Sequence, residues 1–361
     1  MRFSRFIAAL KKYERHISAA AMIAGFAFDN YFFGRVDHPA TQFALFGYIW
    51  LAVAAILFVH FIETRGEPEG LLRKIRPLGV AATQFAFGGL WSAFLIFYAR
   101  SAVLAASWPF LVVLGAIFVG NEAFKHYHSR LVFTCTLLFF ALFSYTIFVV
   151  PILTGSMGKA VFILSGVLAT IVFALVIKCL NYIGPQRMKQ SWKGIAAGAL
   201  AVLAVLNACY FTNVLPPLPL AMTRAGVYHS IRRDGNVYRA IGEARSLFTL
   251  PWSEPVVHIM PGESLSLYSA VFAPIQLQTK ILHIWQRYDD AAKSWRTQAV
   301  VAYSITGGRE GGYRGYSVKS LPAKGHWRVN IATADGLLVG RVAFNVIPAA
   351  SEIASVEQIL K

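Results

Sequence analysis

The segment Leu215-Pro216-Pro217-Leu218-Pro219 divides the sequence into two parts with different hydrophobic patterns. Before this segment, apolar residues occur in stretches of about 20, the length that an α-helix needs to cross the hydrocarbon core of a membrane. From residue 255 onward, apolar and polar residues alternate, which is typical of β-strands. Proline fixes the backbone and lacks an N–H donor. We therefore predict a stiff extended connector between a helical membrane part and a β part.

The composition supports this division. Hydrophobic residues make up 57% of the 361 residues and charged residues only 14%, against about 45–50% and about 25% in soluble proteins. So few charges and only three cysteines exclude a disordered chain and a disulfide scaffold. Cys135, Cys179 and Cys209 all lie in or near apolar stretches, so we expect no disulfide and no zinc site in the β part.

Seven apolar stretches precede residue 214, and we predict seven membrane-spanning helices from them. Helices are expected because backbone polar groups in lipid must be satisfied within the segment. The first stretch is too long for a cleaved signal peptide, and we interpret it as a retained anchor. The predicted spans are His16–Phe33, Thr41–Ile62, Leu78–Tyr98, Ala102–Glu122, Leu131–Ile152, Ala160–Leu180 and Trp192–Val214.

Lysine and arginine in the short loops predict the orientation, because cytoplasmic loops are enriched in both. The basic side carries Arg2, Arg5, Lys11, Lys12, Arg15, Arg65, Arg73, Lys74, Arg76, Lys125, Arg130, Lys178, Arg187, Lys189 and Lys193. The alternate loops hold only Arg35, Arg100 and Lys159. We therefore expect a cytoplasmic N-terminus and an exported C-terminal part, an arrangement that one miscounted span would reverse. Of the net charge of +17, the excess in the membrane part indicates topology and anionic lipid, and we expect no nucleic-acid partner.

We divide the chain into a transmembrane domain at 1–214, a connector and basic segment at 215–254, an exported β-sandwich at 255–348 and a short amphipathic helix at 349–361. No structure is predicted for 221–254, which could lie on the membrane surface. The C-terminal helix is predicted because Ile353, Val356 and Leu360 share one side. Seven short strands with turn signals indicate an immunoglobulin-like sandwich. They are Val256–Met260, Ser264–Phe272, Lys280–Tyr288, Arg296–Ile305, Tyr313–Lys319, His326–Thr333 and Leu337–Ile347.

Several stretches of the β part resemble a known family. They are Val271–Pro274, Ile281–Tyr288, Gly307–Lys319, Gly325–Val329 and Gly340–Phe344. Together they resemble the bacterial DUF2914 family over roughly 271–346. The resemblance implies a polytopic membrane protein with a β-rich terminal domain, and it implies no established activity.

The segment Gly307–Lys319 is the most unusual, because five glycines surround basic and aromatic side chains. Glycine lets backbone N–H groups approach a ligand, and successive amides can bind an anion. Arginine adds a planar set of donors, and tyrosine adds a flat face with a hydroxyl. The candidate ligand-binding residues here are Arg309, Tyr313, Arg314, Tyr316 and Lys319. The alternative, which we favour, is a structural hairpin loop whose arginines pair with Glu310 or stack on tyrosines.

His283, Trp285 and Arg287 alternate along a predicted strand and should share one face. If Trp285 faces the core, as we favour, His283 and Arg287 lie at the rim of that core. If the opposite face is the core, the three side chains form an exposed stripe that can stack on a sugar ring. We therefore include His283 and Arg287 among the ligand-binding candidates.

Polar residues within the spans are a second class of candidate. Asp29 and Asn30 lie toward the outer half of the first span, and an ionisable residue at membrane depth indicates function by default. A helix-end position would instead make Asp29 an ordinary interfacial residue. For His60 and Asn207 we favour hydrogen bonds between helices.

Catalytic and metal motifs are missing from the sequence. Glu122 and His126 are four residues apart, but two ligands make a weak metal site. HExxH and GxSxG motifs are absent. We therefore expect no catalytic residue, no metal and no cofactor.

The leading hypothesis is a non-enzymatic inner-membrane protein whose periplasmic sandwich binds an envelope component, namely an anionic glycan, a lipid headgroup or a protein partner. The alternative is a membrane enzyme or transporter that acts on a lipid-linked substrate, with the sandwich as an accessory domain. A third hypothesis is a structural role within a larger envelope complex.

Overall fold

A computed structural model describes residues 26–27, 29–31, 33, 36–65, 71–101, 104–123, 130–235, 237–243, 254–274, 277–309, 311–320, 322–349 and 353–360. At 71–74, 104–106 and 121–123 it describes the backbone only. The chain forms two compact units. One contains most of the helical residues, and the other is Thr212–Lys361 with the short segments Arg100–Trp108 and Pro151–Val161.

The helices of the described residues are α1 (Pro39–Glu63), α2 (Leu71–Ser101), α3 (Leu104–Ala123), α4 (Leu131–Thr154), α5 (Lys159–Ile183) and α6 (Pro185–Phe211). Residues 26–27 and 29–31 are also helical. The predicted first span, His16–Phe33, lies mostly outside the described residues.

Five helical stretches among the described residues are long and apolar enough to cross a membrane: Pro39–Glu63, Ile75–Ser101, Leu131–Thr154, Lys159–Ile183 and Pro185–Phe211. The predicted fourth span coincides with α3, whose apolar part, Ser107–Gly120, is shorter. The prediction of long apolar helices is therefore confirmed at five positions, by length and composition.

Glycines form the close contacts between helices. A Cβ atom built on Gly79 of α2 would lie 2.8 Å from the ring of Phe58 on α1. On α6, a Cβ at Gly198 would lie 2.1 Å from Oγ1 of Thr136 on α4, and one at Gly194 would lie 3.0 Å from Val132. Small residues four apart let two helix backbones approach closely, so Gly194 and Gly198 seat α6 on α4.

The second unit contains β1 (Ala221–Tyr228), β2 (Ser230–Asp234), β3 (Val237–Glu243), β4 (Val256–Ile259), β5 (Ser264–Phe272), β6 (Gln278–Asp289), β7 (Ser294–Thr306), β8 (Tyr313–Ser320), β9 (Gly325–Thr333), β10 (Leu338–Pro348) and β11 (Ser355–Leu360). All seven strands predicted between 256 and 347 are present, with bounds that differ by at most two residues.

Two sheets enclose the main core of this unit. One has the order β1-β5-β8 and the other β4-β10-β9-β6-β7, in which only β4 and β10 are parallel. Leu267 of the first sheet and Trp285 and Phe344 of the second are fully buried in one hydrophobic cluster. β9 and β10 form a hairpin, and Gly336 occupies the left-handed position of its turn, with φ of 86°.

A third sheet, with the order β11-β3-β2, packs on the outer face of β1-β5-β8. Its Ile231 and Leu360 share a buried cluster with Tyr268 and Ala270 of β5. The prediction of a C-terminal amphipathic helix is therefore wrong, because residues 355–360 pair as a strand with β3. The basic segment without a predicted structure supplies β1, β2 and β3. Because β5 lies between two layers, both of its faces are buried.

Candidate functional site

The glycines of the Gly307–Lys319 segment have a structural role. The segment connects β7 in one sheet to β8 in another. The favoured prediction that it forms a hairpin loop is therefore wrong. The amides of Gly307, Gly308 and Gly312 donate to the carbonyls of Leu277, Ala273 and Arg309. These three N–H groups are therefore occupied, which weakens the expectation of an anion-binding concavity made by the backbone.

Arg309 and Tyr313 form a stacked pair. The guanidinium carbon of Arg309 lies 5.2 Å from the centroid of the Tyr313 ring. That ring stacks at 20° on Tyr303 of β7, and Gly315 leaves room for Tyr303, since a Cβ there would lie 2.6 Å from its ring. This part of the segment agrees with the stacking arrangement that the sequence favoured. Glu310 lies outside the described residues.

The outer face of the β1-β5-β8 sheet brings two arginines together. Arg224 on β1 and Arg314 on β8 both pair in register with Ala270, one on each side of β5. Adjacent strands are about 4.8 Å apart, so the two arginine Cα atoms are separated by about 10 Å. Ala270 itself is buried against the third sheet, whereas Arg224 is exposed at the edge of this face.

Tyrosines border this pair of arginines. Tyr268 on β5 pairs in register with Tyr316 on β8. The ring of Tyr238, from the third sheet, lies 5.6 Å from that of Tyr268 and 6.0 Å from that of Tyr316. Tyr316 is 41% exposed. We refer to Arg224, Tyr268, Arg314 and Tyr316 as the arginine–tyrosine face.

Tyr268 has an unusual hydroxyl. The residue is fully buried, and within the described chain its hydroxyl has no hydrogen-bond partner. Burial raises the pKa of Tyr268, and the positive charges of Arg314 and Arg224 oppose that rise. Buried hydroxyl groups are nearly always hydrogen-bonded. A buried donor without a partner beside two guanidinium groups indicates a place for a polar ligand atom.

His283 lies inside the core and not at its rim, so the prediction of a rim position is wrong. Its Nε2 and Nδ1 atoms are each 2.8 Å from a serine oxygen, on Ser269 and Ser317 respectively. Trp285 Nε1 donates to the same Ser317 oxygen at 3.0 Å. Burial lowers the pKa of His283 to about 4. Trp285 faces the core, as favoured, and the neutral imidazole links β6 to the opposing sheet.

The remaining sequence candidates of the β unit lie elsewhere. Arg287 pairs in register with Arg296 and Trp327 in the five-stranded sheet. Lys319 is five positions beyond Arg314 on β8 and faces the opposite side, and its Nζ donates to the Ser320 carbonyl at 3.3 Å. Of the seven candidates named from sequence, only Arg314 and Tyr316 belong to the arginine–tyrosine face. Arg224 and Tyr268 were missed, because only strand pairing places them beside Arg314.

The helical unit contains a charged cluster that the sequence pattern did not indicate. Glu63, at the end of α1, forms ion pairs with Arg76 of α2 and Arg187 of α6. His60 Nε2 donates to the Leu180 carbonyl at 2.9 Å, and Arg187 lies 3.4 Å from His60 Nδ1. Since a carbonyl only accepts, this geometry assigns the imidazole proton to Nε2.

The cluster joins the ends of α1, α2, α5 and α6 that lie on the predicted basic side of the chain. The adjoining cavity has a volume of about 10 Å³, which is roughly the space for one water molecule. We interpret the cluster as a structural set of ion pairs and hydrogen bonds that holds the helix ends together, and His60 belongs to it.

The other intramembrane candidates are dispersed. Asn207 Nδ2 donates to the Leu203 carbonyl of its own helix at 2.8 Å, so the expected hydrogen bond between helices is wrong for this residue. Asp29 is partly buried beside Ser92 and Tyr48, and Asn30 is exposed. The side chains of Glu122 and His126 are outside the described residues. Among the residues that are described, no group of three or more His, Cys, Asp or Glu side chains is arranged to hold a metal ion.

Comparison with known proteins adds little about activity. No curated protein matches the chain. Among solved structures, the chain is similar to the Pseudomonas fluorescens alkylpurine DNA glycosylase AlkC bound to DNA containing an abasic site analog. The identity is 10%, the match covers 86% of this chain and 99% of that chain, and the TM-score is 0.22. A similarity at this level supports no statement about fold or function.

The family comparison is specific to one stretch. The family described as "Protein of unknown function (DUF2914)" matches residues 278–346. This stretch begins at β6 and ends within β10, and it contains the Gly307–Lys319 segment. The resemblance stated from the sequence is confirmed there, and the chain therefore carries a DUF2914 match over residues 278–346.

Proposed function

We propose that this chain is a multi-pass membrane protein whose C-terminal β unit binds an anionic component of the cell envelope on the arginine–tyrosine face. The observation that carries the proposal is the row Arg224–Ala270–Arg314, which lies beside the buried, unpartnered hydroxyl of Tyr268. The proposal involves no catalytic step.

The chemistry of the face favours a phosphate or a carboxylate. Guanidinium groups present planar donors that match both anions, and a phenol can donate one further hydrogen bond. The exposed ring of Tyr316 adds an apolar edge on which a sugar ring can stack. An anionic glycan therefore combines the features that this face recognises, and a lipid headgroup or an acidic peptide shares the anionic part.

The setting follows from the membrane helices and the charge distribution. We place the N-terminus in the cytoplasm and the β unit on the outer side of the plasma membrane, because the basic loops lie on one side in the sequence. We also infer an immunoglobulin-like arrangement for the two sheets that share the main core. The exposed part of the arginine–tyrosine face, at Arg224 and Tyr316, would then meet periplasmic ligands.

The test is a titration of the full-length protein in detergent with oligogalacturonate, a polymer of sugar carboxylates, at low salt. We expect the wild type to bind and the double variant Arg224→Gln/Arg314→Gln to lose about tenfold or more in affinity, since a hydrogen bond to a charged group contributes about 1.5–3 kcal/mol. Phosphatidylglycerol vesicles and an acidic peptide, titrated in parallel, distinguish the class of ligand.

The matched control is Arg232→Gln. Arg232 is exposed on β2, and it faces away from the cluster that contains its neighbour Ile231. This variant removes one positive charge from the same unit, against two in the double variant, and should bind within about twofold of the wild type. Equal binding by the wild type and the double variant would contradict the proposal, as would an equal loss in the control.

A further inference from the structure

A groove between α5 and α6 opens on the surface of the helical unit. It has a volume of about 850 Å³, within the range of small-molecule and lipid sites. Phe173, Met188 and Ile195 lie along it and are themselves at least nine-tenths buried. The groove therefore has a well-packed apolar floor.

The charged residues that line the groove lie at one end of it. Lys178, Asn181 and Lys189 lie near the turn between α5 and α6, and Trp192 borders them. From Lys189 to Ala199, the last lining residue of α6, is ten residues, or about 15 Å at 1.5 Å per residue. That length is half the hydrocarbon thickness of about 30 Å. The groove thus has the depth of one leaflet, with its cationic end at the headgroup level.

The two helices are also the least covered of the five long apolar stretches among the described residues. Only 33% of the most apolar stretch of α5 and 22% of that of α6 is buried, against 67% for α4. The lining contains two lysines and no acidic residue. Trp192, which is 54% exposed, is of the residue type that is enriched at the membrane–water interface.

We propose that this groove binds one anionic phospholipid, with an acyl chain along Phe173 and Ile195 and the headgroup phosphate between Lys178 and Lys189. A zwitterionic lipid lacks the net charge that the two lysines complement. A second copy of the chain fits less well, because two parallel copies in one membrane would bring the same lysine ends to the same depth, where like charges repel. This site belongs to the helical unit and does not depend on the arginine–tyrosine face.

The experiment is native mass spectrometry of the full-length protein in detergent, with phosphatidylglycerol or phosphatidylcholine as the added lipid. We expect one phosphatidylglycerol to be retained per chain and phosphatidylcholine to bind more weakly. The variant Lys178→Gln/Lys189→Gln should lower the apparent affinity for phosphatidylglycerol about tenfold, since each lysine near an anionic surface contributes about 1 kcal/mol.

Lys193→Gln is the matched control, because Lys193 is exposed at the same end of α6 but does not line the groove. A second variant, Ala174→Trp, fills the groove and should remove lipid binding while it leaves the lysines in place. The proposal is overturned if Lys193→Gln lowers the affinity as much as the double variant does, or if Ala174→Trp retains the lipid. Dimers without bound lipid would also overturn it, in favour of a second copy.

Discussion

The two units of the chain both bury large aromatic side chains, but they place their polar groups differently. In the helical unit, Trp91 and Phe94 are fully buried, Gly198 lies at a close helix contact, and ion pairs around Glu63 join the helix ends. In the β unit, Trp285 is fully buried and shares a serine hydroxyl inside the core with the neutral His283.

The difference is the one expected if the helical unit lies in lipid and the β unit in water. Lipid tails are as apolar as leucine, so burial in a membrane supplies little drive, and close backbone approach must replace it. In water, the burial of large apolar surface is itself the main drive. The polar links differ accordingly, with ion pairs at the helix ends and a neutral histidine within the β core.

The comparison requires that the β unit lies in water outside the inner membrane and that the helical unit lies within the membrane. Cysteine labelling tests this arrangement with an all-or-none result. In a variant without the three native cysteines, single cysteines are placed at the exposed positions Lys324 and Gln190. A membrane-impermeant maleimide should label Lys324→Cys in cells whose outer membrane alone has been opened. Gln190→Cys should react only after the inner membrane is opened. The reverse pattern would place the β unit in the cytoplasm.

The neutral histidine makes the β unit sensitive to acid. The pKa of His283 is about 4 in the folded protein, against an ordinary value of 6.5. The unfolded chain therefore binds more protons between these values, and the free energy of unfolding should fall by about 3 kcal/mol as the pH drops from 6.5 to 4. Above pH 6.5 this contribution is fully present.

Urea unfolding of the full chain in detergent, followed by near-ultraviolet circular dichroism, measures this slope. The variant His283→Gln should lose most of the slope, because glutamine does not titrate in this range. His326→Gln is the control, since His326 is 53% exposed and pairs with Glu254 at the surface. An unchanged slope in His283→Gln would assign the acid sensitivity to other groups.

Close packing in the helical unit predicts a smaller but position-specific effect. The change Gly198→Leu forces Thr136 to move, although its hydroxyl donates to the Val132 carbonyl at 2.9 Å. We expect a loss of about 1–3 kcal/mol, as is typical of overpacking. The matched control is Gly47→Leu on α1, where nothing lies within 4 Å of the added Cβ. Thermal unfolding in detergent should separate the two variants, and equal melting temperatures would contradict a glycine-dependent contact.

Local patterns in the sequence predicted much of the fold. Alternation and turn residues located the strands from β4 to β10 within two residues, because each strand shows its pattern by itself. The same logic failed at β11, where Ile353, Val356 and Leu360 have helical spacing. That segment is a strand because its partner is β3, more than a hundred residues earlier, and a local pattern cannot show a distant partner.

The candidate site depended even more on distant pairing. Arg314 and Tyr316 were found because they lie in an unusual segment, whereas Arg224 lies in a segment with no predicted structure. The buried position of Tyr268 follows from a third layer that the sequence did not reveal. Gly194 and Gly198, by contrast, are four residues apart in the sequence. This spacing alone indicates a close contact between helices, so their packing role could have been predicted.

The central strand β5 has a mechanical consequence for the β unit. Leu267 and Val271 of β5 belong to one core, and Tyr268 and Ala270 belong to the other. The backbone of this one strand therefore separates the two hydrophobic cores. Any displacement that a substitution imposes on one interior is transmitted to the other through that backbone. We therefore expect the two cores to unfold together, as one cooperative unit.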